Sequence, residues 1–370
     1  MAAVSGERLK VLMTADSVGG VWRYAMDLCM AVRAHGVEPI IAGLGPRPHA
    51  IQEREAFRAG IKMVWLDAQL DWVAPGPSAL EQAARLLDRV IDDFRPDVLH
   101  LNTPALAHLV HPEVPCVATL HSCLASWWAA VRGTALPTEW EWNRDHLERG
   151  LRAASLVVVP TQAFAGAINA IYGPLPHLNV VHNGSAAGNA AVLETIKELR
   201  VMAAGRWWDE AKNLATLRAS AHEIGWPVEI AGPLEGPNGA RVDAGPLRYL
   251  GTLGAEACTA RMEEAALFVS PAIYEPFGLS VLEAAGRGAA LALADIPTFR
   301  ELWDGAALFF PPRDGGLLAQ SVNRLIENRP LRAELAAKAF ERASIYSLDA
   351  QAQAMVQAWW HASGKRSLAA

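Results

Sequence analysis

Glu275 and Glu283 stand on either side of the stretch Pro276-Phe277-Gly278-Leu279-Ser280-Val281-Leu282, which follows an apolar run at 267–270. Strand, glycine turn and helix are expected in that order. A helix beginning after Gly278 leaves the backbone N–H groups of Leu279 and Ser280 without partners in its own first turn, and their partial positive charge suits a phosphate. Glu275 then precedes the helix and Glu283 lies roughly one and a half turns inside it, so the two carboxylates address different parts of one ligand and do not form a close pair. The competing reading is a helix cap plus a solvated glutamate. The preceding strand and the Pro-Phe-Gly turn weigh against it, because a short motif gains meaning from its context.

Three further groupings carry chemistry. Arg206 follows Ala204-Gly205 at the end of an apolar run, and Lys212-Asn213 stands where the next helix starts, so two cations flank one loop. Taken alone they are ordinary surface charges. Asp16-Ser17-Val18-Gly19-Gly20-Val21 follows the first apolar run, and paired glycines let the backbone approach a ligand closely. His121 closes the run 116–120 at the rim of a sheet, with Trp127 and Trp128 soon after. For these indoles, and for Trp207 and Trp208, packing on a core is the simpler reading, with contact to a sugar ring as the alternative. For His121 the alternative to a functional role is a hydrogen-bonded structural histidine.

These side chains need a scaffold, and the chain announces one. Apolar runs at 9–13, 39–42, 63–66, 98–101, 116–120 and 156–159 alternate with helical patterns, and a second series follows at 201–204, 228–231, 247–250, 267–270 and 290–294. That alternation predicts parallel sheets wrapped by helices, an α/β fold. After Gly20, the residues Val21, Ala25, Leu28, Cys29 and Val32 recur at helical spacing and Gly36 supplies the stop. At 370 residues two domains are favoured over one, and the segment 183–191, rich in Asn, Gly, Ser and Ala, is the linker candidate. The expected division is 1–184, 185–346 and a terminal helix at 347–370. That helix carries an apolar stripe of Met355, Val356, Trp359 and Trp360, and the chain is expected to fray from about Ser363.

Composition narrows the classes. A formal charge of −6 gives no general electrostatic reason to bind nucleic acid, and no apolar run reaches the length of a membrane span. Peripheral membrane contact is the most that is expected, because no run of cations is visible along the chain. The first ten residues do not read as a signal peptide, so a cytoplasmic location is expected. Cys29, Cys116, Cys123 and Cys258 are scattered without metal spacing, which suggests buried, reduced thiols.

The motif around Glu275 and Glu283 resembles that of the retaining glycosyltransferases of the GT-B fold, family four, whose hallmark is two glutamates seven residues apart around a Phe-Gly turn. The resemblance implies two doubly wound, Rossmann-like domains facing across a cleft, with the C-terminal helix crossing back to the first. The first domain would serve the acceptor and the second the nucleotide sugar. It further implies that Glu275 holds hydroxyls of the donor sugar and Glu283 the nucleotide ribose. Arg206 and Lys212 would grip the diphosphate in place of a metal, and His121 would contact the donor sugar or position the reacting groups. Gly19 and Gly20 would lie against the donor phosphates and the acceptor pocket, and Leu250, Gly251 and Thr252 would cradle the base through their backbone. Thr161 and Asn183-Gly184 match the family in part, and Asp295-Ile296-Pro297, 307–312 and Asp314 complete its C-terminal pattern; 45–78 is the weakest stretch. The implied activity is transfer of a hexose from a nucleoside diphosphate sugar, UDP favoured, to a hydroxyl of a glycan, lipid or small molecule, with retention at the anomeric carbon and no tightly bound cofactor. A nucleotide-sugar epimerase, a phosphorylase of the same architecture and a catalytically silent sugar-binding protein are the alternatives. A nicotinamide dehydrogenase is more distant, since Gly19-Gly20 lacks the full three-glycine fingerprint.

Overall fold

Four of the apolar runs, Val98–Leu101, Val228–Ala231, Leu156–Val159 and Ala290–Ala294, are strands in which every residue is buried. Parallel strands covered on both faces require this pattern. The structure, a computed structural model, describes residues 8–111, 113–186 and 188–364. The chain forms two compact units, one running through Ala129, Thr134–His182 and from Leu348 onward, the other comprising Asn183–Ser347 with Ala130–Gly133.

In the first unit the strands are Leu9–Asp16 (β1), Val37–Leu44 (β2), Lys62–Trp65 (β3), Val98–Leu101 (β4), Cys116–Thr119 (β5), Leu156–Val159 (β6) and Leu178–Val180 (β7). They form one parallel sheet in the order β3-β2-β1-β4-β5-β6-β7. The helices are Gly20–Ala31 (α1), Ala50–Arg58 (α2), Pro77–Phe94 (α3), Leu124–Arg132 (α4), Glu141–Ala153 (α5) and Gln162–Tyr172 (α6). A 3-10 turn, Val32–His35, extends α1 and ends at Gly36, whose φ of 74° makes it the expected stop. Thr161 caps α6 by accepting the Phe164 N–H at 3.1 Å, so its hydroxyl is already engaged in a structural bond.

The second unit has Glu198–Ala204 (β8), Val228–Ala231 (β9), Arg248–Tyr249 (β10), Ala265–Ser270 (β11), Ala290–Ala294 (β12) and Ala307–Phe310 (β13), in the order β10-β9-β8-β11-β12-β13, again all parallel. Its helices are Leu214–Ser220 (α7), Ala255–Glu264 (α8), Leu279–Gly286 (α9), Pro297–Trp303 (α10), Gly315–Glu327 (α11) and Arg329–Ile345 (α12). Trp207 and Trp208 are buried in this unit, and the Trp207 indole N–H donates to the Ala231 carbonyl at 2.9 Å. The last helix, Leu348–Ser363 (α13), belongs to the first unit. There it packs on α1, with Met355 and Trp359 fully buried and the Trp359 ring edge-on to His100 at 5.4 Å.

The segment 183–191 contains buried Asn183 and leads into a 3-10 turn at Ala190–Leu193, so it is partly anchored. The fraying expected after Ser363 falls almost wholly outside the described residues. Cys29, Cys116 and Cys123 are buried and Cys258 is half-buried, all with free thiols. Burial pushes Cys29, Cys116 and Cys258 up to about 12, which leaves them protonated and unreactive at neutral pH. No helix among the described residues is long and apolar enough to cross a membrane.

Candidate active site

Each sheet reverses its order once, between β1 and β4 in the first unit and between β8 and β11 in the second. In open α/β sheets ligands bind beyond the carboxyl ends of the strands at such a reversal.

In the second unit the loop leaving β8 carries Gly205 and Arg206 and then a short 3-10 turn, Glu210–Lys212. Asp209 starts that turn by accepting the Ala211 N–H at 3.0 Å. The loop leaving β11 carries Glu275. The Lys212 ammonium and the Glu275 carboxylate form a hydrogen-bonded ion pair, with side chains only 18% and 15% exposed. A charge pair this sheltered is held by its frame. Ile273 N–H donates to the Ala211 carbonyl at 2.8 Å, tying the two loops together. Asn213, next to Lys212, donates to the carbonyls of Pro271 and Pro312 at 2.9 and 2.5 Å and accepts the Thr216 hydroxyl at 2.8 Å. It does so with φ at 57°, a left-handed conformation that asparagine adopts more readily than most residues with a side chain.

Gly278 turns this loop into α9 with φ at 93°; a Cβ there would come 2.9 Å from the Phe299 ring. The N–H groups of Leu279 and Ser280 follow at the helix start. Arg206 leaves the same loop as Lys212, with its guanidinium 3.4 Å from Asp209 and 5.8 Å over the Trp208 ring. Its Nε is buried and has no hydrogen-bond partner among the described residues, a condition that an anionic oxygen would relieve. Glu283 is half-buried on α9 close to Cys258, whose thiol is raised first by burial and then by the Glu283 charge. The structure therefore joins Lys212 to Glu275, while Arg206 and Glu283 occupy neighbouring elements with partners of their own.

Leu250, Gly251 and Thr252 follow β10. Gly205, Gly232 and Gly251 line up at the ends of β8, β9 and β10: Gly205 N–H donates to Ala231 at 3.1 Å and Gly232 N–H to Gly251 at 2.9 Å. Gly232 has φ at 117°, and a Cβ on it would sit 2.0 Å from the Gly205 carbonyl oxygen. Sequence reasoning passed over this glycine and gave Asn213 no role of its own. A glycine directly after a buried strand was the only signal for the first.

In the first unit Gly19 has φ at 150° and ψ at −134°, a region open to glycine, and it caps α1. The loop around it is fastened by Val18 N–H to the Asp16 carboxylate at 2.8 Å, Ser17 hydroxyl to the Pro46 carbonyl at 2.7 Å and the Gln52 amide to the Ser17 carbonyl at 3.1 Å. Gly20 is the first residue of α1. His121 follows β5, and its Nε2 lies 2.8 Å from Asn102 Oδ1. Asn102 donates its own Nδ2 to the Thr14 carbonyl at 2.6 Å, so its Oδ1 is the acceptor and His121 must carry its proton on Nε2. Nδ1 is left as a lone-pair acceptor. Although the residue is half-buried by surface area, enough protein surrounds the ring for burial to depress it to about 4, and it is neutral at pH 7. Tyr24 packs edge-on against it at 4.5 Å. Asp71 is a further group that sequence reasoning missed: burial, seconded by the charge of Asp16, pushes its carboxyl up to about 6.

Residues 18–185 match the model of Glycosyltransferase Family 4, and residues 246–342 match that of Glycosyl transferases group 1. The chain belongs to the GT-B glycosyltransferases. This glycosyltransferase is 25% identical to the glycogen synthase of Mycobacterium tuberculosis over 94% of its own length and 92% of that protein. Among solved structures it is similar to sucrose-phosphate synthase from Thermosynechococcus elongatus, with a TM-score of 0.77 and 16% identity over 96% of this chain and 99% of the other. It is also similar to Anabaena HepE in complex with UDP-glucose, with a TM-score of 0.71 and 18% identity over 95% and 99% of the two chains. The two parallel sheets and their helices are those of this fold.

Proposed function

We propose that the second unit binds a nucleoside diphosphate hexose, with UDP-glucose the first candidate, and that the enzyme transfers the hexose to an acceptor hydroxyl with retention at the anomeric carbon. The observation that carries this reading is the Lys212–Glu275 ion pair, set between the two loops that leave the switch-point strands β8 and β11. UDP-glucose is favoured because HepE was solved with it.

In this reading the diphosphate lies against the N–H groups of Leu279 and Ser280, with Arg206 and Lys212 neutralising its charge as it leaves. Two cations and a helix start then do what a divalent metal does in other transferases. Glu275 fixes hydroxyls of the hexose, Glu283 those of the ribose, and the backbone of Leu250, Gly251 and Thr252 flanks the base. The bond between C1 and the β-phosphate oxygen breaks with its electrons passing to the diphosphate. The acceptor oxygen bonds to C1 on the same face, and its proton passes to the departing phosphate oxygen. The first unit serves the acceptor end, where Gly19 and Gly20 allow close backbone approach and the Nδ1 of neutral His121 can take a hydrogen bond from a sugar hydroxyl.

Lys212→Met and Glu275→Gln test the assignment, with release of UDP from UDP-glucose followed in the presence of a malto-oligosaccharide. Each variant should lose about a hundredfold or more in turnover while keeping its far-UV spectrum. Wild-type turnover in either would remove that residue from the reaction. Full activity in the presence of a chelator is expected, and NMR of the first-formed product should show the donor's own anomeric configuration. Conversion of the donor sugar with no acceptor present would favour an epimerase.

A further inference from the structure

Helix α2 presents two unlike faces. Its inner face is fixed to the first unit: Ala56 is buried in the core, Glu55 receives the Arg23 guanidinium at 2.7 Å, and Gln52 reaches the Ser17 carbonyl. Its outer face carries Ile51, Arg54, Phe57 and Arg58, which at 3.6 residues per turn fall within an arc of about 120°. Ile51 is 54% and Phe57 86% exposed. Arg54 and Arg58 are exposed on the same face, and Arg47 is exposed on the approach to the helix. None of these three guanidinium groups has a hydrogen-bond or ion-pair partner among the described residues.

In water this face works against itself, since Arg54 and Arg58 repel each other at a spacing of four and the most exposed aromatic ring of the molecule stands beside them. Of the two acids on the helix, Glu55 is turned inward onto Arg23, and Glu53 is exposed just beyond the edge of this arc, so the face itself keeps a positive charge. We propose that this face docks the enzyme onto an anionic lipid surface, with Phe57 and Ile51 entering the headgroup boundary and Arg47, Arg54 and Arg58 meeting lipid phosphates. Charge selects the occupant. Two cations between two apolar side chains, with a third on the approach to the helix, match phosphates at an apolar boundary. A second copy of this chain fits less well, because it brings a net charge of −6, and two side chains supply little of the roughly 800 Å² per partner of a stable dimer. No run of basic residues marks this site in the sequence; the helix collects cations that stand apart along the chain. The negative overall charge would repel the same membrane elsewhere, so attachment is confined to this face and oriented by it.

Sedimentation of the full chain with vesicles tests the proposal. Vesicles of phosphatidylcholine with about one-third phosphatidylglycerol should retain the protein at low salt and release it as salt rises, while phosphatidylcholine alone retains little. Arg54→Glu/Arg58→Glu and, separately, Phe57→Ser should each reduce the bound fraction by about fivefold or more, with unchanged transfer to a water-soluble acceptor. Absence of binding to anionic vesicles, or binding that neither variant weakens, would overturn the proposal. So would a wild-type dimer in sedimentation velocity that Phe57→Ser dissociates, since the face would then belong to a second copy.

Discussion

Asn213 donates from its side-chain amide to the carbonyl of Pro312, 99 positions away, at 2.5 Å, and to that of Pro271 at 2.9 Å. One amide thereby ties the ends of β11 and β13 to the loop that presents Lys212. Asn213→Gly keeps the left-handed backbone and loses the bonds, whereas Asn213→Ala loses the bonds and must also hold φ near 57°. Denaturant unfolding should place the glycine variant about 2 kcal/mol below wild type and the alanine variant roughly 1 kcal/mol lower still. Equal losses would mean that backbone conformation contributes nothing. Both variants should raise KM for the donor.

The buried histidines of the first unit predict acid sensitivity. Burial lowers His100 to about 3, with the nearby His121 adding to the effect, and lowers His121 itself to about 4. Unfolded histidine titrates near 6.5, so below that pH the unfolded chain binds more protons than the folded one. Their contribution is complete above about pH 6.5 and is lost as pH falls toward the folded values, with His100 alone costing ~2 kcal/mol at pH 5. Urea unfolding at pH 7 and pH 5 should show this difference shrinking in His100→Gln.

Gly232 leaves no room for a side chain. Its φ is 117°, and a Cβ would meet the Gly205 carbonyl at 2.0 Å, a backbone atom that cannot turn aside. Gly232→Ala should cost about 3 kcal/mol or more and displace the loop of Arg206 and Lys212. Thermal unfolding and UDP titration measure the two effects, and a wild-type melting temperature would show that β8 and β9 separate more freely than their hydrogen bonds imply.

Trp359 fastens α13 to the first unit. Fully buried and set against His100, it should cost roughly 3–5 kcal/mol when cut to alanine. Protection of α1 and β4 against hydrogen exchange reports the loss, and unchanged protection would mean that α13 rests on the unit without stabilising it.

The wholly buried strands named at the start of the fold were legible because a parallel strand covered on both faces is predominantly apolar, which shows in consecutive letters even where His100 and Glu229 interrupt the run. β7 was not read as a strand: Leu178–Val180 is three residues long, lies at a sheet edge and contains exposed Asn179. β10 is shorter than the expected 247–250, at Arg248–Tyr249, both exposed at an edge of the second unit's sheet. β13 was not among the expected strands either: 307–312 entered only as part of the family pattern, although Ala307–Phe310 pairs along its length with β12.

At the candidate site, the motif alone singled out Glu275, Gly278 and Glu283, because a glycine turn and a helix start leave a local pattern of residue types, while Arg206 and Lys212 were drawn in by the resemblance to the family. Tertiary structure decided what holds them. The contact between Lys212 and Glu275, the reach of Asn213 to two distant prolines, the single tautomer forced on His121 by Asn102 and the arginines gathered on α2 all join residues through space. Periodicity records which side of an element faces the core. Which loops meet at the end of a sheet depends on strand order, and no local pattern encodes that.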